Sequence, residues 1–120
     1  MKTILIVEDV ELNRDLLVQL LEDKYRLIFA ADGVAALERA AATKPDLILM
    51  DLSLPRMDGW EASRRLKADA TLARIPIIAL SAHAMRSHEE RARASGCDDF
   101  LTKPIDETCL FETIARHLGD

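Results

Sequence analysis

The chain reads as an α/β domain built on a doubly wound parallel sheet, and three observations predict it. Short apolar runs alternate with helical periodicity along all 120 residues, the pattern of repeated βα units. The runs are almost continuously apolar, as strands covered on both faces should be. Two of them end in acidic residues: Ile4-Leu5-Ile6-Val7 runs into Glu8-Asp9, and Leu47-Ile48-Leu49-Met50 runs into Asp51.

Ile4 to Val7 forms the first strand, and Leu12, Leu16, Leu17, Leu20 and Leu21 follow at helical spacing. Tyr25 to Ala30 is a second strand, more polar and so nearer an edge. Gly33 opens a helix through Val34, Leu37 and Ala41 that stops at Lys44-Pro45, because the residue before proline resists the α conformation. Leu47 to Met50 is the third strand. Leu54-Pro55 and Asp58-Gly59 bracket a loop, the latter pair reading as a turn and helix cap, before a helix with Trp60, Ala62 and Leu66. Pro76 precedes a fourth strand, Ile77 to Leu80. Ala84 to Ser95 is helical and ends at Gly96, suited to a left-handed cap. Asp99 to Thr102 is a short fifth strand, and Leu110, Phe111, Ile114, Ala115 and Leu118 mark the last helix. These units fill residues 1–120 as one domain, with no second domain expected.

Composition narrows the function classes. Hydrophobic residues at 49% and charged residues at 31% suit a globular core rather than disorder. A net charge of -5, with no basic stripe carrying interleaved aromatics, disfavours direct nucleic-acid binding. No apolar run approaches spanning length and Met1-Lys2 leads straight into a strand, so no membrane association is expected and the location reads as cytoplasmic. Cys97 and Cys109 read as two reduced, buried thiols, since neither CxxC nor zinc-finger spacing is present.

In a parallel sheet the carboxyl ends of the strands share one edge, and ligands bind in the crevice there. The acidic pair after strand one meets Asp51 after strand three if those strands are neighbours, the switch point of the 2-1-3-4-5 order already described for flavodoxin-like sheets. Gathered carboxylates repel unless a cation sits among them. Acidic strand ends taken singly are merely solvated; taken with Asp51 and the lone Lys103 they read as a site for a hard cation and a reactive carboxylate.

Four stretches carry a resemblance over essentially the whole chain: Ile4 to Asp9, Asp51 to Gly59, Ala79-Leu80-Ser81-Ala82, and Phe100-Leu101-Thr102-Lys103-Pro104. In this order and spacing they resemble the CheY-like receiver domain of bacterial response regulators. Ala82-His83-Ala84-Met85, Gly96-Cys97 and Lys103-Pro104-Ile105 are most similar to stand-alone division-type (DivK-like) receivers and to those on hybrid kinases. The resemblance implies Asp51 as phosphoryl acceptor, with Glu8, Asp9, Asp51 and the Ser53 backbone carbonyl holding Mg²⁺. It implies Lys103 and Ser81 as phosphate contacts, a cis Lys103-Pro104 bond, and a switch in which Ser81 and Phe100 reshape the face of helix four, strand five and helix five. Ser53 and His83 would flank the water approach and tune hydrolysis. Glu8 stands where Asp is commoner, Ser81 for Thr, and Phe100 for Tyr; none removes the chemistry.

The reading that follows is a single-domain response regulator without an output domain, phosphorylated by a sensor histidine kinase or histidine phosphotransfer protein and not an enzyme in its own right. The first helix, near Asn13 and Arg14, is the expected donor surface, and a homodimer through helices four and five stays open. The alternative is a Mg²⁺-dependent aspartate-nucleophile phosphatase, which wants a second Asp two residues after the nucleophile, where Ser53 stands. A flavodoxin-like phosphate binder conflicts with acidic Glu8-Asp9-Val10-Glu11, and a scaffolding pseudo-receiver conflicts with the intact acidic set.

Overall fold

Uninterrupted apolar runs give the sheet its centre. The computed structural model describes residues 1–54, 57–82 and 85–119. Its elements alternate as β1 (Thr3–Val7), α1 (Glu11–Leu21), β2 (Arg26–Ala30), α2 (Gly33–Thr43), β3 (Leu47–Asp51), α3 (Gly59–Ala68), β4 (Ile77–Ser81), α4 (Arg86–Ala94), β5 (Asp99–Thr102) and α5 (Glu107–Leu118). All pairings are parallel and the strand order is β2-β1-β3-β4-β5, so the expected flavodoxin-like doubly wound sheet is present.

Successive side chains of a strand point to opposite faces, and the core divides accordingly. Leu5, Val7, Ile48 and Met50 face α2, α3 and α4, where Ala36, Leu66 and Ala92 meet them. Ile4, Ile6, Leu47 and Leu49 face α1 and α5, against Leu17, Leu21, Leu110 and Ile114. β1, β3 and β4 are buried on both faces, while β2 and β5 form the more exposed edges. The Arg39 guanidinium donates to the Phe29 carbonyl on edge strand β2, which helps block further strand pairing.

Caps fix where the helices start and stop. Asp32, Asp58 and Asp106 each accept a backbone N–H from the first turn of α2, α3 and α5. At the end of α4, Gly96 at φ 101° lets its own N–H reach the Arg93 carbonyl and the Cys97 N–H reach the Ala92 carbonyl, satisfying carbonyls the helix leaves open. Lys44 ends α2 in the left-handed region without glycine, at φ 50°.

The helical spacing of α1 holds, and Leu12 and Leu16 are 70% and 53% exposed because the sheet covers the side carrying Leu17 and Leu21. Two expectations need correction. Cys97 is buried, yet Cys109 lies on the exposed side of α5. α4 begins at Arg86 with Ala92 as its buried residue and Met85 exposed; Ala84 lies outside the described residues.

Candidate functional site

The strand register delivers the site. Val7 lies opposite Met50 across β1–β3, Asp51 opposite Leu80 across β3–β4, and Ser81 opposite Thr102 across β4–β5. Residues following these positions therefore leave the sheet along one edge: Glu8 and Asp9 from β1, Ser53 after β3, and Lys103 after β5. The Glu8 N–H donates to the Ala30 carbonyl and the Lys103 N–H to the Ser81 carbonyl. Main-chain bonds thus fix both of these residues beyond the ends of their strands.

Side chains converge there. One carboxylate oxygen from each of Glu8, Asp9 and Asp51 lies within 4.8 Å of the others. Glu8 is fully buried and Asp51 is 3% exposed, while Asp9 faces solvent. Lys103 Nζ stands 3.0 Å from Glu8 Oε1 and 3.4 Å from Asp51 Oδ1. The Val10 N–H donates to Glu8 Oε2 and the Ser53 N–H to Asp51 Oδ1.

Burial, then the hydrogen-bonded Asp51 carboxyl, push the Glu8 pKa above its ordinary value, against the opposing pull of Lys103. Burial also works against the Lys103 charge, but Glu8 and Asp51 outweigh it and raise the Lys103 pKa. The cluster sets three carboxylates against the one Lys103 ammonium. Oxygen donors only, two of them buried and a third open to water, fit a small hard cation that keeps part of its hydration shell.

α3 begins hard against this site. The Gly59 N–H donates to the Leu52 carbonyl at 3.3 Å, and a Cβ at Gly59 would overlap the Asp51 carbonyl oxygen. Glycine is required here for close approach of two backbone segments. Asp58 caps α3 as the turn-and-cap pair predicts, and Gly59 in addition braces the backbone of Asp51.

The other sequence-predicted residues fall around this centre. Ser81 is 3% exposed at the end of β4. Phe100 is half-buried on β5 and packs on the α3–α4 side of the core. Ser53 is exposed. The Lys103-Pro104 peptide bond is cis. His83 lies outside the described residues.

Two features were not anticipated. A cavity of about 240 Å³ opens between α1 and the start of the β5–α5 connection, lined by Leu16, Leu17, Leu20, Pro104 and Ile105 together with Glu8 and Lys103. At the opposite end of the sheet, Lys67 Nζ donates to the carbonyls of Ala73 and Ile75 and to Asp98 Oδ2, which also takes the Ile77 N–H. Nothing in the spacing of a lysine on a polar helix signals such a latch.

Fold and site together define a flavodoxin-like domain whose switch-point crevice holds an acidic triad and a lysine. Residues 4–115 match the model of the response regulator receiver domain. The chain is 45% identical over 120 residues to the polar-differentiation response regulator DivK of Brucella anthropi, covering 99% of this chain and 98% of that one. Among solved structures, a putative response regulator from Chloroflexus aurantiacus superposes with a TM-score of 0.94 at 28% identity, covering 99% and 98% of the two chains. The receiver domain of sensor histidine kinase PA1611 from Pseudomonas aeruginosa PAO1, with magnesium coordinated in its active site cleft, has a TM-score of 0.92, 36% identity and the same coverage. The chain belongs to the response regulator receiver family of two-component signalling. The phosphatase alternative is not favoured: Ser53 occupies the general-acid position, and the relatives are receivers. Among the described residues no helix is long and apolar enough to cross a membrane.

Proposed function

We propose that Asp51 accepts a phosphoryl group from a phosphohistidine on a sensor histidine kinase or histidine phosphotransfer protein, and that the chain acts as a stand-alone cytoplasmic receiver. The observation that carries this reading is the placement of Asp51: a nearly buried carboxylate at a strand end, 3.4 Å from an ammonium and inside an acidic cluster. An Asp51 oxygen attacks phosphorus as the N–P bond breaks with its electron pair going to the donor ring, which is protonated at its other nitrogen and leaves as neutral imidazole, and an acyl phosphate remains. Glu8, Asp9, Asp51 and the Ser53 carbonyl would hold Mg²⁺, which when bound neutralises phosphoryl oxygens.

The chain's own groups do the rest. Lys103, already between Glu8 and Asp51, turns its charge toward the added phosphoryl group. The Ser81 hydroxyl donates to the same group, and the half-buried Phe100 ring adjusts as Ser81 moves. Ser53 and His83 set how readily water reaches phosphorus, so dephosphorylation is slow and self-catalysed. The face of α4, β5 and α5 then presents a changed shape to a protein target. Exposed Leu12 and Leu16, the latter lining the cavity beside α1, offer an apolar seat for the donor.

Incubation with acetyl phosphate and Mg²⁺, followed by intact-protein mass measurement, tests the reading. The wild type should gain one phosphoryl group and Asp51→Asn none; undiminished labelling of that variant refutes it.

A further inference from the structure

Trp60 is the chain's sole tryptophan, and it joins the acceptor loop to α4. It follows Gly59, where a Cβ would overlap the Asp51 carbonyl, and it packs in the same core cluster as Leu52 and Leu54. Its own side chain is 8% exposed. On its outer side the Arg91 guanidinium of α4 lies over the ring, 4.3 Å from the centroid, and the His88 ring stands tilted at 6.2 Å. α4 itself has little else to hold it, since Ala92 is the one buried residue among its nine. Apart from Ala92 in the core, its ties are polar: Arg93 reaches the Asp98 carbonyl at 3.5 Å and Asp99 at 4.0 Å.

We propose that the Arg91–Trp60 stack is an autoinhibitory clamp, seating α4 against α3 while Asp51 is a free carboxylate and releasing it when a phosphoryl group is added. The inference rests on the acceptor role of Asp51 proposed above. The mechanics follow from unequal anchoring. Gly59 leaves no room for even a methyl group between α3 and the Asp51 carbonyl, so a shift of the Asp51 backbone is passed to the first turn of α3 and to Trp60. Trp60 is fixed in the core; α4 is held toward α3 by this stack and otherwise by Ala92 and the Arg93 contacts. When two elements meet at a contact, the one with less buried surface yields first. A cation over an indole face is strong enough to bias such an equilibrium without locking it.

Linkage gives the sign. Removing a contact present with the free carboxylate and broken with the phosphoryl group must favour the latter. Beryllofluoride, a phosphoryl mimic, is titrated with Mg²⁺ in excess into wild type, Arg91→Ala and Arg91→Lys, using Trp60 emission and calorimetry. Arg91→Ala should bind it roughly two- to fivefold more tightly, with a much smaller change in Trp60 emission on binding; Arg91→Lys, which keeps a cation, should fall between. Equal calorimetric affinity of wild type and Arg91→Ala overturns the clamp, as does weaker binding by the variant. Acetyl phosphate labelling of both proteins keeps the two readings separate: labelled proteins with equal affinity sink the clamp alone, whereas no labelling of wild type sinks both.

Discussion

Lys103 Nζ lies 3.0 Å from Oε1 of Glu8, a carboxylate with no exposed surface. The same ammonium approaches Asp51, the proposed acceptor, at 3.4 Å, so one charge faces both carboxylates. Removing one partner of a buried pair leaves the other uncompensated, and this sets the first prediction.

Lys103→Ala should separate cation binding from phosphoryl transfer. Without the resident ammonium the acidic cluster is more negative, so Mg²⁺ measured by calorimetry should bind more tightly than in wild type. Labelling by acetyl phosphate should fall on the order of a hundredfold, the usual loss when one preorganised charge is removed from a developing anion. Weaker Mg²⁺ binding by the variant would contradict the arrangement.

Glu8 predicts a pH dependence. Its pKa is raised by burial and by Asp51, so the folded chain holds this proton more firmly than the unfolded chain. The stabilisation is present at low pH and lost as pH rises through the raised value. Glu8→Gln cannot ionise and escapes that loss. In chelator, its Tm should exceed that of wild type most near neutral pH, and the gap should close as pH falls toward the ordinary glutamate value of 4.5. A gap that widens with acid would reverse the sign and refute the account.

Gly59→Ala opposes two effects. Alanine gains about 1 kcal/mol over glycine within a helix. Here the new methyl overlaps the Asp51 carbonyl, and such overpacking costs about 1–3 kcal/mol. Denaturant unfolding should show net destabilisation, and acetyl phosphate labelling should slow because the acceptor backbone is displaced. A stabilised variant with unchanged labelling would show that the contact yields freely.

The two thiols should differ sharply. Burial raises the Cys97 pKa, against a hydrogen bond to Ser63, while Cys109 is exposed. Iodoacetamide at mild alkaline pH should add once to the native chain, at Cys109, and twice in denaturant, as mass spectrometry of peptides can show. Rapid double modification of the native chain would place Cys97 nearer solvent than described.

The sheet was legible because its strands are apolar runs whose carboxyl ends carry the polar residues; Asp51 and Glu8 could be paired once β1 and β3 were neighbours. The helices were harder. The leucines of α1 share one periodic pattern, yet periodicity does not say how wide a stripe the sheet covers, and Leu12 and Leu16 fall outside it. Cys109 was misplaced for a related reason: a small apolar residue on α5 carries too little signal to choose a face. The Glu8–Lys103 pair was not foreseen, because separation along the chain hides how far a flexible lysine reaches. The brace between Gly59 and Asp51 was hidden too, since it depends on backbone approach rather than residue type.

Lys103 has one further consequence. Its backbone N–H is tied to β4 through Ser81, its side chain reaches residues following β1 and closing β3, and it extends from the border strand β5. A disturbance of charge in the middle of the molecule thus tugs directly on its outer margin, where another protein can feel it, without having to pass through the packed layers between.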